Sequence, residues 1–110
     1  MQSLITLKER SIRIYDNENR ALDLHFKRYG NVKSLTLIYV NGYQISDETA
    51  YSSIIPEDFR PIEVSSCFSV SSYIGTNTNY KFKLIQNGTL VVFSDGTSLS
   101  NNMEYTHTYF

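Results

Sequence analysis

The stretch of residues 80–94, YKFKLIQNGTLVVFS, predicts two β-strands joined by a tight turn. Its two apolar runs, rich in residues that favour β-strands, flank Asn87 and Gly88. Asn-Gly is the strongest short-range signal for a two-residue hairpin loop, because both residues accept a positive φ. A two-residue loop pairs Gln86 with Thr89 and thereby sets the register of the whole hairpin.

This register predicts which side chains share a face. Leu84 lies opposite Val91 and Phe82 opposite Phe93, and with Tyr80 they form an apolar face directed at the core. The other face is mixed, and its cross-strand pairs are Lys83 with Val92, Lys81 with Ser94, and Ile85 with Leu90. We therefore expect a loop of the same chain or a neighbouring subunit to cover the apolar tip of this second face.

Length and composition indicate one globular domain. The chain has 110 residues, 41% of them hydrophobic and 19% charged, which suffices for a single core. The formal net charge is −1 and the charges are scattered, so we expect neither nucleic-acid binding nor attachment to an anionic membrane. No stretch approaches the ~20 apolar residues of a membrane span. Cys67 is the only cysteine, which excludes an intrachain disulfide.

The rest of the chain also has the pattern of β-structure. Five further segments predict strands: residues 11–15, 21–29, 32–40, 63–74 and 104–110. We expect the second to be half-buried, the third to be central and covered on both faces, and the fourth to direct inward Val64, Phe68, Val70 and Ile74. Pro56 and Pro61 exclude a regular ladder from part of the long irregular stretch 43–61.

Short strands separated by Gly, Asn and Asp turns predict an all-β fold. We expect an antiparallel β-sandwich or jelly-roll-like single domain over residues 11–110, with residues 1–10 as a linker or an edge strand. His25 and His107 lack further ligands at metal-binding spacing, so no metal or other cofactor is expected. The stripe of Tyr105, His107 and Tyr109 on one face of the last strand indicates packing rather than a ligand platform.

Catalytic groups are not evident in the sequence. A nucleophilic Ser or Cys67 would need an oriented histidine, and no such pattern is present. The acidic pairs Asp47-Glu48 and Glu57-Asp58 lie in polar loops, where carboxylates are usually solvated turn residues. An enzyme that degrades polysaccharides would need two carboxylates converging in one cleft, about 5–10 Å apart. We expect the protein not to be an enzyme.

The order of segments over residues 22–110 resembles the distal domains of bacteriophage tail-fibre and baseplate proteins. These include the receptor-binding heads of phages that infect Gram-positive bacteria. Two motifs carry the resemblance: Ile55-Pro-Glu-Asp-Phe-Arg-Pro61 before a strand, and Asn87-Gly-Thr89 within a hairpin. The resemblance implies a homotrimeric virion protein of the tail tip or baseplate that recognises a bacterial cell-wall or surface saccharide and contacts other tail proteins.

Saccharide recognition needs aromatic faces for C–H groups and planar polar groups for hydroxyls. The loops offer eight candidates: Tyr43, Asp47, Tyr51, Tyr73, Asn77, Asn79, Tyr80 and Asp95. Turn geometry and packing explain the same residues without a ligand. For the trimer interface, the apolar hairpin tip suggests Ile85, Leu90 and Val92. The alternative function is a structural tail or baseplate module that makes protein–protein contacts only.

Overall fold

The computed structural model describes residues 6–40, 43–45, 47–72, 78–94 and 104–110. Within them the chain forms eight strands: β1 (Leu7–Tyr15), β2 (Ala21–Tyr29), β3 (Val32–Val40), β4 (Glu48–Tyr51), β5 (Ser65–Ser72), β6 (Thr78–Ile85), β7 (Leu90–Ser94) and β8 (Tyr105–Tyr109). A single 3₁₀ turn covers Glu57–Phe59 in the described chain.

The strands form two antiparallel four-stranded sheets, in the orders β1-β2-β3-β8 and β4-β7-β6-β5. Their inner faces share one hydrophobic core, which makes a single-domain sandwich. The all-β antiparallel prediction is confirmed. β1 begins at Leu7 and is an edge strand, so this part of the N-terminal segment belongs to the first sheet.

The first sheet follows the period of two that its sequence predicts. Leu22, Leu24 and Phe26 are fully buried on the inner face, as are Leu35 and Leu37 of β3. The expectation that both faces of β3 are covered is wrong, since the Ile38 side chain is 46% exposed. β3 is central in its sheet, but the outer face of that sheet meets solvent at this position.

The predicted hairpin register is wrong by one residue. β6 and β7 pair Leu84 with Leu90 and Phe82 with Val92. The loop has three residues rather than two: Gly88 N–H donates to the Ile85 carbonyl, and Ile85 N–H donates to the Thr89 carbonyl, both at 2.9 Å. With Gly88 at φ +95°, this is a type I turn followed by a left-handed residue, the commonest three-residue hairpin loop.

A shift of one residue exchanges the two faces of β7. Leu90 and Val92 are fully buried in the core beside Phe82, whereas Phe93 lies half-buried on the outer face. The predicted core patch that joined Phe82 and Leu84 to Val91 and Phe93 is therefore wrong. The predicted interface at the hairpin tip is wrong for Leu90 and Val92, because neither is accessible to another subunit; Ile85 is half-buried, and its interface role stays a prediction.

Two other predictions need correction. Phe68 and Val70 point inward from β5 as expected, but Val64 precedes the strand and its side chain is 77% exposed. Ile74 lies outside the described residues. The stretch 43–61 contains a strand, β4, which pairs with β7.

One end of the sandwich is closed by the segment 55–62, which carries the first of the two resemblance motifs. Ile55 and Phe59 fill the core from above, and Ile55 N–H donates to the Gly88 carbonyl at 2.9 Å. The Tyr109 hydroxyl donates to the Phe59 carbonyl at 2.7 Å. We call this region, residues 28–33, 55–62, 86–89 and 109–110, the closed end.

Candidate functional site

Two of the predicted saccharide ligands, Tyr43 and Tyr80, are core residues. Both side chains are fully buried, with ring centroids 6.3 Å apart. The Tyr80 hydroxyl accepts from Ile45 N–H at 3.2 Å and lies 3.4 Å from the Tyr43 carbonyl. The prediction that these rings face a ligand is wrong, because they anchor the connection 43–45 to β6 and their hydroxyls are satisfied there.

Tyr51 belongs to the same cluster. Its hydroxyl donates to the Tyr15 carbonyl at 3.0 Å and, having spent its proton, accepts from the Tyr43 hydroxyl at 2.5 Å. Burial raises the pKa of both Tyr43 and Tyr51. Tyr51 is half-buried and its hydroxyl is hydrogen-bonded within the chain; its role in saccharide binding stays a prediction.

Of the other saccharide candidates, the structure describes the side chain of Asp47 alone. Asp47 is exposed, and its carbonyl accepts from Ser94 N–H at 3.0 Å. The side chain of Asn79 is not described, and Tyr73, Asn77 and Asp95 lie outside the described residues. Their binding role stays a prediction.

The Tyr105–His107–Tyr109 stripe packs within the chain. Phe68 of β5 stacks on Tyr105 and on His107, with centroid distances of 5.4 and 4.6 Å. Here the β5 edge of one sheet meets the β8 edge of the other. Tyr105 and His107 therefore pack within the protomer, as the sequence predicted.

A Ser–His pair at this seam was not predicted. Ser66 Oγ lies 2.8 Å from His107 Nε2, and burial lowers the pKa of His107, which favours the neutral ring. In the described part of the chain, no carboxylate bonds to His107, so the pair lacks there the third group of a Ser–His–Asp arrangement. The residues described also contain no group of three or more His, Cys, Asp or Glu that could hold a metal ion.

The described residues bring together a cluster of cations at the closed end. Arg28 pairs with Lys33 across β2 and β3, and Lys33 pairs with Tyr109 across β3 and β8. This row continues the inward-facing positions of Leu35 and Leu37, so Lys33 lies where a core residue would be expected. It is only 7% exposed.

Hydrogen bonds to the backbone hold the two arginines of this cluster. Arg28 donates from Nε to the Gly30 carbonyl at 2.8 Å and from Nη1 to the Asp58 carbonyl at 3.0 Å. Arg60 Nε donates to the Ile55 carbonyl at 3.0 Å. The Arg60 guanidinium also lies against Gly88, where a Cβ atom would come within 2.7 Å of its Nε. The positive φ of Gly88 disfavours any other residue at this position, and a larger side chain would also displace the end of the Arg60 side chain.

These side chains border an open cavity of about 460 Å³, lined by Arg28, Asn31, Lys33, Arg60, Ile62 and Phe110. Its size lies within the range of ligand pockets, roughly 300–1,000 Å³. It combines guanidinium and amide groups with two apolar side chains, and none of its lining side chains is acidic. Sequence reasoning did not predict this site, although continuing the alternation of β3 from Leu37 and Leu35 back to Lys33 gives an inward lysine.

In the part of the chain that the structure describes, no helix has the length and apolar character needed to cross a membrane. No protein-family model and no curated protein matches the sequence.

Proposed function

We propose that this chain is the head domain of a phage tail-fibre or baseplate protein, located in the virion, which binds a bacterial cell-surface saccharide without catalysis. One observation supports the proposal most. The segment 55–61, on which the resemblance partly rests, contributes Arg60 to the wall of the open cavity at the closed end. The segment thus both closes the sandwich and shapes a surface that can bind a ligand.

The chemistry of the cavity suits a sugar. The guanidinium groups of Arg28 and Arg60 and the amide of Asn31 are planar donors for hydroxyl and carboxyl oxygens. Phe110 is 63% exposed and offers an aromatic face to sugar C–H groups. This site replaces the buried tyrosines Tyr43 and Tyr80 as the place where saccharide would bind.

Adhesion can be tested with two exposed turn asparagines at opposite ends of the molecule. We expect Asn31→Ala to weaken binding to immobilised cell-wall polysaccharides by about three- to tenfold, the usual effect of losing one or two hydrogen bonds. Asn17→Ala, in the β1–β2 turn, should bind like the wild type. Surface plasmon resonance gives the affinities. Equal affinities in both variants would contradict the proposed cavity.

The nature of the receptor is tested on intact bacteria. Periodate, which cleaves vicinal diols of sugars, should abolish attachment of the fluorescent domain, whereas protease treatment of the cells should leave it intact. The reverse pattern would contradict saccharide recognition.

A specific observation favours the alternative of a structural tail module. Three apolar side chains at or beside the closed end are exposed: Ile62 at 72%, Val64 at 77% and Phe110 at 63%. Neighbouring exposed apolar groups of this kind are typical of protein–protein contacts. A domain that binds tail or baseplate proteins and no polysaccharide would fit this alternative.

We also propose that the domain assembles as a homotrimer, as the resemblance implies, since three weak sites on one rigid head gain avidity. Multi-angle light scattering at micromolar concentration should give three times the protomer mass of 12.7 kDa. Because Leu90 and Val92 are in the core, the contacts must lie on another face, and a monomer in solution would contradict the assembly.

A further inference from the structure

We propose that the cavity at the closed end is an anion-binding site, in which a carboxylate or phosphate group of the ligand binds to Lys33 between Arg28 and Arg60. The site stands on its own geometry. Only its connection with sugars rests on the proposed function, for which it specifies an acidic saccharide as the ligand class.

The first argument is the position of Lys33. Its side chain occupies an inner-face position at only 7% exposure, yet no hydrogen bond or ion pair reaches its ammonium group from the residues that the structure describes. Burial of the stem holds the ammonium at the wall of the open cavity, since no buried side-chain nitrogen of the described residues lacks a partner. Lys33 lines the cavity, so a ligand there can supply the missing partner.

The second argument is the balance of charge. Arg28, Lys33 and Arg60 line the cavity without an acidic side chain among them. Asp58 Oδ1 is 4.0 Å from Arg28 and lies closer to Lys8, at 3.4 Å. Neither Lys33 nor Arg60 has such a partner in the described chain. Burial, and then the charge of Arg28, lower the pKa of Lys33; a bound anion opposes both effects.

The third argument is donor geometry. Arg60 directs only Nε to a backbone carbonyl, and Arg28 directs Nε and Nη1, so further N–H groups of both guanidiniums remain for a ligand. Guanidinium groups bind carboxylates and phosphates through paired N–H donors, and an ammonium adds a point charge. These backbone contacts hold the arginines in place before an anion arrives, which lowers the entropic cost of binding.

The test uses the whole domain at constant ionic strength, titrated with inorganic phosphate, glucuronate or glucose. We expect phosphate and glucuronate, but not glucose, to cause saturable NMR shifts at the backbone amides of residues 28–33. Lys33→Met keeps the side-chain volume and should weaken both anions by roughly tenfold or more. Lys81→Met, on the exposed face of β6, should leave affinity unchanged. Lys33→Gln is the second variant if Lys33→Met does not fold.

Two outcomes would overturn the site: shifts that do not saturate, or equal affinity in the wild type and in both Lys33 variants. Tighter binding of glucuronate than of phosphate assigns the anion to an acidic sugar, and the reverse order assigns it to a phosphate group. A protein that binds phosphate at Lys33 but no wall polysaccharide keeps the anion site and loses the saccharide function. Polysaccharide binding that Lys33→Met does not change keeps the function and overturns the anion site.

Discussion

Phe82→Ala is expected to lower the free energy of unfolding by about 3–5 kcal/mol, as truncation of a fully buried aromatic ring does. The Phe82 side chain is 0% exposed, and it stacks on Phe68 with a centroid distance of 5.0 Å. Removing it leaves a cavity between the two sheets. β6 is paired with β5 and β7 on its two sides, so the strands relax only partly into that space.

Phe93→Ala is the matched control, because Phe93 lies in the adjacent strand but on the outer face. Its truncation should cost only about 1 kcal/mol, since the ring is already partly in water. Urea unfolding followed by circular dichroism measures both values. The alternative register, with Phe82 opposite Phe93, places both rings in the core. Equal losses of 3 kcal/mol or more in the two variants would therefore contradict the observed pairing.

The fold class could be predicted from the sequence because alternation and turn residues are local signals. Leu22, Leu24 and Phe26 alternate with polar residues, and this pattern alone identifies their buried face. The hairpin register is less determined. Asn87-Gly88 suits a two-residue loop, but Gly88 also suits the left-handed position after a type I turn. In the structure, the three-residue loop has tertiary contacts at Gly88. Ile55 N–H donates to the Gly88 carbonyl, and the Arg60 guanidinium lies against Gly88.

The candidate site could be predicted only in part. The segment 55–61 stood out in the sequence, but its contacts with β2 and β6–β7 depend on chain packing at long range. The prediction that Tyr43 and Tyr80 bind saccharide was wrong for the same reason. The sequence alone does not distinguish a buried loop tyrosine such as Tyr43 from an exposed one. Lys33 is different: its parity with Leu35 was visible. A lysine on an inner face is unusual, however, because lysine is seldom buried.

At the end of the sandwich opposite the cavity, the buried carboxylate of Asp16 holds two loops together. Asp16 Oδ1 accepts from the backbone N–H groups of Glu18 and Arg20 at 2.8 and 2.9 Å. Asp16 Oδ2 accepts from Arg20 Nε at 2.7 Å and from Gln44 N–H at 3.0 Å. Its side chain is 0% exposed. One carboxylate thus fixes the β1–β2 turn and attaches it to the connection before β4.

Asp16→Asn should lower the free energy of unfolding at pH 7 by about 3 kcal/mol, because an amide lacks the charge and replaces one acceptor oxygen by a donor. Burial acts to raise the pKa of Asp16, but the hydrogen bonds from Arg20, Gln44 and Glu18 together outweigh it and lower the pKa below its usual value of 3.8. A lowered pKa in the folded state means that the ionised carboxylate stabilises the fold above the pKa of the unfolded chain. This contribution is lost as the pH falls through the lower, folded-state value.

The wild type and Asp16→Asn should therefore differ most at neutral pH and converge progressively below about pH 4. Asp23→Asn is the control, because Asp23 forms a more exposed ion pair with Arg13 on the sheet surface and should cost no more than about 1 kcal/mol. Urea unfolding of the three proteins at pH 7 and pH 3 measures the differences. If Asp16→Asn and Asp23→Asn lose the same stability at pH 7, the buried carboxylate is not what joins the β1–β2 turn to the connection before β4.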